Sequence, residues 1–309
     1  MDVSVIIPTH NPRPDPLRRV LQALAAQTLP RDRWELVVVD NASTPAVATA
    51  DLAALAPVSL RVVAEPEPGL TAARRRGLRS TQGDAVVFVD DDNVLAPDFL
   101  TEVVRVLAAE PRVGAAGGPS RPEFASPPPA WLREFDSLLA CRDLGPDAQV
   151  SRGPHSGNLR YPPFAPIGAG LVLRRAAARV WLEAPAEGRP TDRRGTELTS
   201  GGDNDIILTV LAAGWEVAYF PTLALTHLIP SERLQPDYLA RLNRAIARSW
   251  VQVLARHGAC PWPAIAPWTV PLRQLKSWFL RRPWSGPAAR IRWQGACGHF
   301  EGLASLPRP

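Results

Sequence analysis

The chain has 309 residues, 46% of them hydrophobic, and a formal net charge of +5 that is carried almost wholly by arginine. This length exceeds that of a typical single domain, so one large α/β domain with additions, or two fused lobes, is expected. The basic charge is weak evidence for an anionic partner, because phosphorylated substrates, acidic lipid and nucleic acid would all fit it.

Three widely spaced cysteines match neither a metal site nor a disulfide framework, which favours a reducing cytoplasm. A strand at residues 3–7 with no basic leader before it argues against a secretory signal peptide. No apolar run reaches the roughly 20 residues that cross a bilayer. We therefore expect a cytoplasmic protein, with peripheral contact at the inner face of the cell membrane left open.

Predicted strands and helices alternate along the first part of the chain. Short runs of β-branched and aliphatic residues predict strands at 3–7, 36–40, 60–64, 85–89 and 113–116. Apolar residues at helical spacing predict helices at 17–24, through Leu52 and Leu55 with a cap at 41–44, at 72–78 and at 97–107. This alternation predicts a mostly parallel α/β sheet with helices on both faces.

The rest of the chain is less regular. Prolines interrupt residues 120–166 except for a short predicted helix at 131–139, and a strand at 168–175 and a polar loop at 187–200 follow. A helix at 203–213, strands at 215–220 and 223–227, and a long helix after Pro236 complete the pattern. We divide the chain into 1–119 and 120–235, two halves of one domain, and 236–309, a helical extension rich in tryptophan and arginine.

Polar residues follow four of the predicted strands: residues 8–11, Asp40, residues 65–69 and the acidic triplet 90–92. The carboxyl ends of parallel strands meet at one edge of a sheet, where α/β proteins bind ligands. Three adjacent carboxylates need a cation, hydrogen-bond donors or water, and they suit Mg²⁺ or Mn²⁺. A solvated acidic turn is the alternative. The glycine-rich loops of dinucleotide-binding proteins and ATPases are absent from the sequence.

Five motifs in a fixed order resemble a known family. They are VSVIIPTHN at 3–11, LVVVDNAS at 36–43, GLTAARRRG at 69–77, FVDDD at 88–92 and GGDNDI at 201–206, with Gly214 and His227 downstream. Over roughly residues 3–230 the chain resembles family 2 inverting glycosyltransferases, which have the nucleotide-sugar-binding fold termed GT-A. The resemblance implies that 1–119 holds the nucleotide sugar and that 120–235 binds the acceptor and supplies the catalytic base.

The candidate site residues fall into three groups. The nucleotide sugar would be bound by Pro8, Thr9, Asn11, Asp40, Glu65, Arg74, Asp90, Asp91 and Gly170. Glu65 and Asp91 belong to the strand-end clusters, and at most one or two of the three arginines at 74–76 on one helix can face the diphosphate. Gly170 either allows close approach of the donor sugar or acceptor or forms a tight turn. The resemblance implies a metal held by Asp92 with Asp90 nearby, and His227 matches a histidine that completes the metal site in some relatives. It also matches Asp203 to the general base.

Asp203 has two interpretations. A base must sit within about 3 Å of the acceptor hydroxyl, and a carboxylate at a helix start has the required exposure. The same carboxylate could instead cap the helix. Two departures from the family pattern affect the site: Gly202 stands where many members have an acid, and Arg75 where many have asparagine. Asp205 is expected to be a first-turn charge favoured by the helix dipole.

The sequence thus predicts a metal-dependent transferase that moves a sugar from a nucleotide-diphosphate sugar to a saccharide, lipid-linked or other hydroxyl acceptor with inversion. A non-catalytic sugar-nucleotide-binding subunit is the alternative. An aspartyl-phosphate phosphatase of the haloacid dehalogenase type is disfavoured, because the one lysine, Lys276, follows Asp203 and Asp205. No nucleic-acid partner is expected, and the oligomeric state is open. The helix at 237–256 and the tail either pack against the domain or lie on an anionic membrane.

Overall fold

The computed structural model describes residues 1–53, 55, 60–152, 159–185, 192 and 198–307. Its strands are β1 Val3–Thr9, β2 Trp34–Asp40, β3 Leu60–Ala64, β4 Ala85–Phe88, β5 Asn93–Leu95, β6 Val113–Gly117, β7 Ser120–Phe124, β8 Gln149–Val150, β9 Leu171–Arg174, β10 Glu216–Tyr219 and β11 Leu225–Ile229. Its α-helices are α1 Pro14–Ala25, α2 Thr49–Ala53, α3 Leu70–Arg79, α4 Phe99–Ala109, α5 Arg175–Glu183, α6 Gly202–Ala212, α7 Pro236–Arg256, α8 Val270–Arg281 and α9 Pro287–Ala304. A 3₁₀ segment spans Ala130–Leu139.

The main sheet confirms the predicted α/β architecture. Its strand order is β3-β2-β1-β4-β9-β6-β10-β8. The first four strands are parallel, and β6 and β10 run in the same direction because β9 is antiparallel to both β4 and β6. Thr9 pairs with Asp40, and Asp40 pairs with Ala64. The polar residues that follow these strands are therefore brought to one edge of the sheet.

Helices cover both faces of this sheet because successive strand residues point in opposite directions. On one face, Val5 and Ile7 of β1 pack with the apolar residues of α1 and α4. On the other face, Ile6 packs with residues of α3, α5 and α6. The strand interiors are apolar on both faces, as expected for a sheet buried between two helical layers.

The C-terminal helices form a third packing unit that adjoins the sheet domain. Leu239 and Leu242 of α7 and Ile291 of α9 share a buried cluster with Phe135 and Leu139 of the 3₁₀ segment. The α7 and α9 backbones approach closely, since a Cβ atom at Gly298 would lie 2.0 Å from the Arg244 carbonyl oxygen. Packing therefore accounts for the apolar stripe of α7. Among the described helices, none is both long and apolar enough to cross a bilayer.

Three local predictions need correction. The helix expected through Leu52 and Leu55 is shorter than predicted: α2 ends at Ala53 and residues 41–44 lie too far before it to cap it. In the loop before α2, the Asp40 carboxylate accepts hydrogen bonds from the amides of Ser43 (3.1 Å) and Val47 (3.0 Å). Helix α5 was not predicted, although its buried residues Ala177, Ala178 and Trp181 recur at helical spacing. Strand β7, in the segment expected to be irregular, pairs in parallel with β11. Most of the loop predicted at 187–200 lies outside the described residues.

Candidate active site

A cleft opens at the edge of the main sheet where β1 and β4 end. The loops after these strands contribute to it, as do the start of α3, strand β11, the 3₁₀ segment and the start of the C-terminal extension. The lining residues are Pro8, Thr9, His10, Asn41, Leu70, Ala73, Asp90, Asp91, Asp92, Leu138, Leu139, Ala140, His227, Arg233 and Tyr238. Of the four strand-end clusters predicted to share one crevice, those after β1 and β4 line it, whereas Asp40 and residues 65–69 do not.

The acidic triplet lies in the wall of this cleft. Thr9 Oγ1 donates a hydrogen bond to Asp91 Oδ2, which joins the ends of β1 and β4. Burial, together with the neighbouring negative charge of Asp92, raises the pKa of Asp91 to about 6. The side chain of Asp92 is 6% exposed. These carboxylates are held in a partly dehydrated site, so the alternative of a solvated acidic turn is wrong.

Asp92, His227 and Arg233 form a compact polar cluster. Asp92 Oδ1 lies 3.4 Å from His227 Nε2, and Asp92 Oδ2 lies 3.3 Å from Arg233 Nη1. Arg233 Nη1 is also 3.3 Å from His227 Nε2. Burial opposes ionisation of Asp92, but the hydrogen bond to His227 and the positive charge of Arg233 outweigh it and lower the pKa of this carboxyl. Asp92 is therefore an anion at neutral pH.

This cluster has donors that suit a divalent ion. Asp92 and His227 offer one carboxylate and one imidazole nitrogen, a set compatible with Mn²⁺ or Mg²⁺. Within the described ranges, no group of three or more His, Cys, Asp or Glu side chains could hold a metal. The remaining ligands would have to come from a bound diphosphate and water. The Arg233 guanidinium contacts the same two donors, so it and a metal ion would compete for them.

Arg74 lies between the acidic triplet and the second half of the domain. Its side chain is 3% exposed and its Nη2 atom is 4.0 Å from Asp90 Oδ1. The guanidinium also stacks on Phe88, 5.4 Å from the ring centroid. A Cβ atom at Gly168 would lie 2.8 Å from Arg74 Nη2. Arg74 thus contacts both the end of β4 and the loop before β9.

Asp203 lies on the other side of that loop. Its Oδ2 atom accepts a hydrogen bond from the Gly168 amide (2.9 Å), and its Oδ1 atom accepts one from the Asn204 amide (2.9 Å). The residue before α6 is Gly201, which has no side chain to form a cap. Asp203 is the second residue of the helix and only partly buried. The capping interpretation of Asp203 is therefore wrong.

A carboxylate from elsewhere in the chain lies beside Gly202. The Gly202 amide donates a hydrogen bond to Asp192 Oδ2 (3.2 Å), and a Cβ atom at Gly202 would lie 2.6 Å from that oxygen. Asp192 is 3% exposed, and its Oδ2 atom is 4.0 Å from Arg74 Nη1. Asp192 therefore occupies the space into which a side chain at position 202 would extend.

Asp205 lies in the first turn of α6, as predicted. It is 1% exposed, so this charge is buried. Its carboxylate accepts a hydrogen bond from Trp181 Nε1 (2.9 Å) and lies 2.9 Å from His257 Nε2. Arg256 Nε is 3.6 Å away. Asp205 thus joins α6 to α5 and to the end of α7.

Five of the predicted binding residues lie outside the cleft lining: Asn11, Asp40, Glu65, Gly170 and Arg74, whose contacts are given above. Asn11 accepts a hydrogen bond from the Thr44 amide (2.8 Å), and both carboxylate oxygens of Asp40 are bound by backbone amides. Glu65 accepts a hydrogen bond from the Glu67 amide (2.9 Å). At Gly170, with φ +66°, a Cβ atom would lie 2.4 Å from Leu225 Cδ2, so the need for glycine there comes from packing.

Sequence reasoning missed several residues of the site. Arg233 lies between β11 and α7, Tyr238 lies in the first turn of α7, and both line the cleft although neither belongs to a motif. Asn41 binds the Gly69 amide (2.8 Å) through its side-chain oxygen and so holds the start of α3 at the cleft. Its place in the LVVVDNAS motif, directly after the acid of β2, was the signal that could have found it.

The architecture defines a class: a GT-A type α/β sheet whose carboxyl edge carries a buried acidic cluster, followed by a helical C-terminal region. The family model described as Glycosyl transferase family 2 matches residues 4–162, just over half of the chain. The chain belongs to this family. The resemblance in the sequence is thereby confirmed, and the phosphatase alternative is excluded.

Individual relatives share low sequence identity with this chain. The chain is 26% identical over 276 residues to the succinoglycan biosynthesis protein ExoM of Rhizobium meliloti, covering 86% of this chain and 79% of that protein. It is 26% identical over 244 residues to an N-acetylglucosaminyltransferase of Bradyrhizobium diazoefficiens, of which it spans 45%. Among solved structures, the mannosyltransferase PcManGT from Pyrobaculum calidifontis, in complex with GDP-Man and Mn²⁺, is similar with a TM-score of 0.57 and 23% identity, over 93% of this chain and 72% of that one.

Proposed function

We propose that this chain transfers a sugar from a nucleotide-diphosphate sugar to an acceptor hydroxyl, with inversion at the anomeric carbon and with the help of Mg²⁺ or Mn²⁺. The observation that carries the proposal is the position of Arg74, which contacts Asp90 on one side and the Gly168 loop that binds Asp203 on the other. A donor-binding acid and a candidate base are thereby held next to a common cation.

The donor end of the proposed site is the cleft at β1 and β4. Pro8, Thr9 and Asn41 would contact the nucleoside, and Asp92 and His227 would hold the metal. When bound, the metal would act as a Lewis acid that stabilises the charge of the departing diphosphate. Arg233 would donate hydrogen bonds to the same phosphates, since a guanidinium pairs well with phosphate oxygens.

The acceptor end is the start of α6. The Asp203 carboxylate would take the proton of the acceptor hydroxyl while that oxygen forms a bond to the anomeric carbon. The bond from this carbon to the diphosphate oxygen breaks at the same time, and the nucleoside diphosphate leaves with the electron pair. The Gly168 amide fixes the orientation of the carboxylate. Attack opposite the leaving group inverts the anomeric centre.

The test is a transferase assay with Asp203→Asn. Loss of a positioned base lowers a rate by about 10² to 10⁴, so turnover should fall by that factor while nucleotide affinity, measured by calorimetry with Mn²⁺, is unchanged. Asp15→Asn, an exposed carboxylate on α1, is the matched control and should keep full activity. Ordinary turnover by Asp203→Asn would contradict the role of the base.

The non-catalytic binding subunit makes a different prediction. It would bind sugar nucleotides with Mn²⁺ but would release no nucleoside diphosphate with any saccharide or lipid-linked acceptor. A thermal-shift screen of sugar nucleotides identifies the donor first, and nucleoside diphosphate release from that donor then separates the two functions.

A further inference from the structure

Helix α8 presents an apolar face that no described part of the chain covers. Trp268, Leu272 and Leu280 are 72%, 60% and 72% exposed, and Leu275, Phe279 and Trp284 are each more than half exposed. Leu272, Leu275 and Phe279 recur at three- and four-residue spacing, so they lie along one side of the helix. Single exposed apolar residues are ordinary, but a contiguous patch of large ones marks an interaction site.

The surroundings of this face are basic. Residues 262–300 contain six arginine or lysine residues and no aspartate or glutamate. Arg273 and Lys276 are exposed on α8 beside the apolar side chains, and the exposed Arg281 and Arg282 lie at its C-terminal end. Among the described residues, none of these four forms an ion pair. An uncompensated positive surface of this kind attracts anions.

The other side of α8 fixes it to the body of the protein. Ser277 is buried, and Trp278 stacks on Trp293 of α9 with ring centroids 4.8 Å apart. Trp293 Nε1 donates a hydrogen bond to the Gln274 carbonyl (3.3 Å). The apolar face is therefore held outward by packing. Twelve residues of helix span about 18 Å, too short to cross a bilayer of about 30 Å.

We propose that the outward face of α8 binds the surface of an anionic membrane, with the helix lying in the plane of the headgroups. Leu272, Leu275 and Phe279 would enter the boundary of the acyl chains, and the arginine and lysine side chains would contact lipid phosphates. Trp268 and Trp284, at the two ends of the face, suit the interfacial zone where tryptophan is enriched.

Charge favours a membrane over a second copy of the chain. Two α8 faces packed together would bring at least eight positive side chains into proximity without a described carboxylate between them, and like charges in such an interface are unfavourable. An anionic bilayer supplies the opposite charge and an apolar layer beneath it. The helix is connected to the cleft through α9, which packs on α8 and shares a buried cluster with the 3₁₀ segment whose Leu138 and Leu139 line the cleft.

Vesicle flotation with the full chain tests this proposal. The probes are neutral phosphatidylcholine vesicles and vesicles in which about one-third of the lipid is phosphatidylglycerol. One variant, Leu272→Ser/Leu275→Ser/Phe279→Ser, removes the apolar face, and a second, Arg273→Gln/Lys276→Gln/Arg281→Gln, removes its charge. The matched controls are Leu144→Ser and Arg31→Gln/Arg79→Gln/Arg133→Gln, which change exposed residues elsewhere. Thermal unfolding verifies that every variant is folded.

The unaltered chain should float with anionic vesicles and not with neutral ones. Both α8 variants should lose at least about tenfold in partitioning, the controls should lose little, and salt raised from about 0.1 M to about 1 M should release the chain. Failure of the unaltered chain to bind anionic vesicles would overturn the proposal, as would equal binding by the α8 variants. A dimer in sedimentation velocity that the apolar variant dissociates, without vesicle binding, would assign the face to a second copy instead. None of these measurements depends on transferase activity.

Discussion

His227 Nε2 lies 3.4 Å from Asp92 Oδ1, although one residue is on β11 and the other follows β4. The two strands that bring them together are β5 and β11, which pair antiparallel with His227 opposite Asn93. These two strands belong to a three-stranded sheet of order β5-β11-β7, which thus places the His227 imidazole beside the acidic triplet.

His227→Asn should weaken nucleotide binding only when Mn²⁺ is present. Even second-shell partners of metal ligands are worth about 10- to 100-fold in affinity, so loss of a direct donor should cost at least this much. Calorimetric titration of nucleoside diphosphate with and without Mn²⁺ measures the difference. His299→Asn on α9 is the control and should leave both affinities unchanged, whereas an equal loss without metal in His227→Asn would show that the imidazole is not a ligand.

Arg233→Gln should change two affinities in opposite directions. Nucleotide affinity should fall by roughly 10- to 100-fold, since hydrogen bonds to charged groups contribute about 1.5–3 kcal/mol. Mn²⁺ affinity without nucleotide should rise, because the competing guanidinium has left Asp92 and His227. Calorimetry for the nucleotide and electron paramagnetic resonance for free Mn²⁺ test both. Arg241→Gln, exposed on α7, should alter neither, and a fall in Mn²⁺ affinity for Arg233→Gln would contradict the competition.

The carboxylate of Asp192 should be replaceable by one introduced at position 202. Asp192→Ala removes the carboxylate beside buried Arg74 and should lower both stability, by about 1–3 kcal/mol, and activity. Gly202→Glu alone should also be harmful, because its side chain meets Asp192. The double variant Asp192→Ala/Gly202→Glu restores one carboxylate to one space, so it should recover activity relative to either single change.

Denaturant unfolding and the transferase assay together test this exchange. Asp147→Ala, an exposed acid, is the control for the single change and should have little effect. If the double variant is as impaired as the sum of the single changes, Asp192 does not replace the acid that many relatives carry at position 202.

Asp205→Ala should destabilise the whole domain. It leaves Trp181 Nε1 and the His257 ring without their shared acceptor, and breaking a buried charged pair costs about 3–5 kcal/mol. His257→Gln, which keeps a donor, should cost less. Urea unfolding measures the midpoint shift. Asp205→Ala with a midpoint close to that of the unaltered chain would show that this contact does not stabilise the fold.

Local patterns were sufficient to predict most of the sheet. The runs that became β1, β2 and β4 are apolar throughout because both faces of the sheet are covered, and such runs are visible in the sequence. The same patterns placed Thr9 and the acidic triplet at one crevice. The start of α6 was predicted within one residue from its glycines and acids.

Pairings between distant residues could not be predicted in this way. Asp192, Arg233 and Asp205 each take their role from a partner far along the chain, and nothing in the neighbouring residues reveals that partner. At Gly170 the sequence left two interpretations open, room for a ligand or a tight turn. The positive φ of +66° in a turn, with Leu225 filling the adjacent space, favours the turn.

The first turn of α6 connects the candidate base to the C-terminal helices, which matters for protein engineering. Asp203 would take the proton of the acceptor, and two residues later Asp205 contacts His257 at the end of α7. A minimal catalytic fragment ending after β11 would lack that anchor, along with Arg233 and Tyr238. A chain truncated there would therefore have a misaligned active site. Loss of turnover in such a fragment would not test whether α8 binds a membrane.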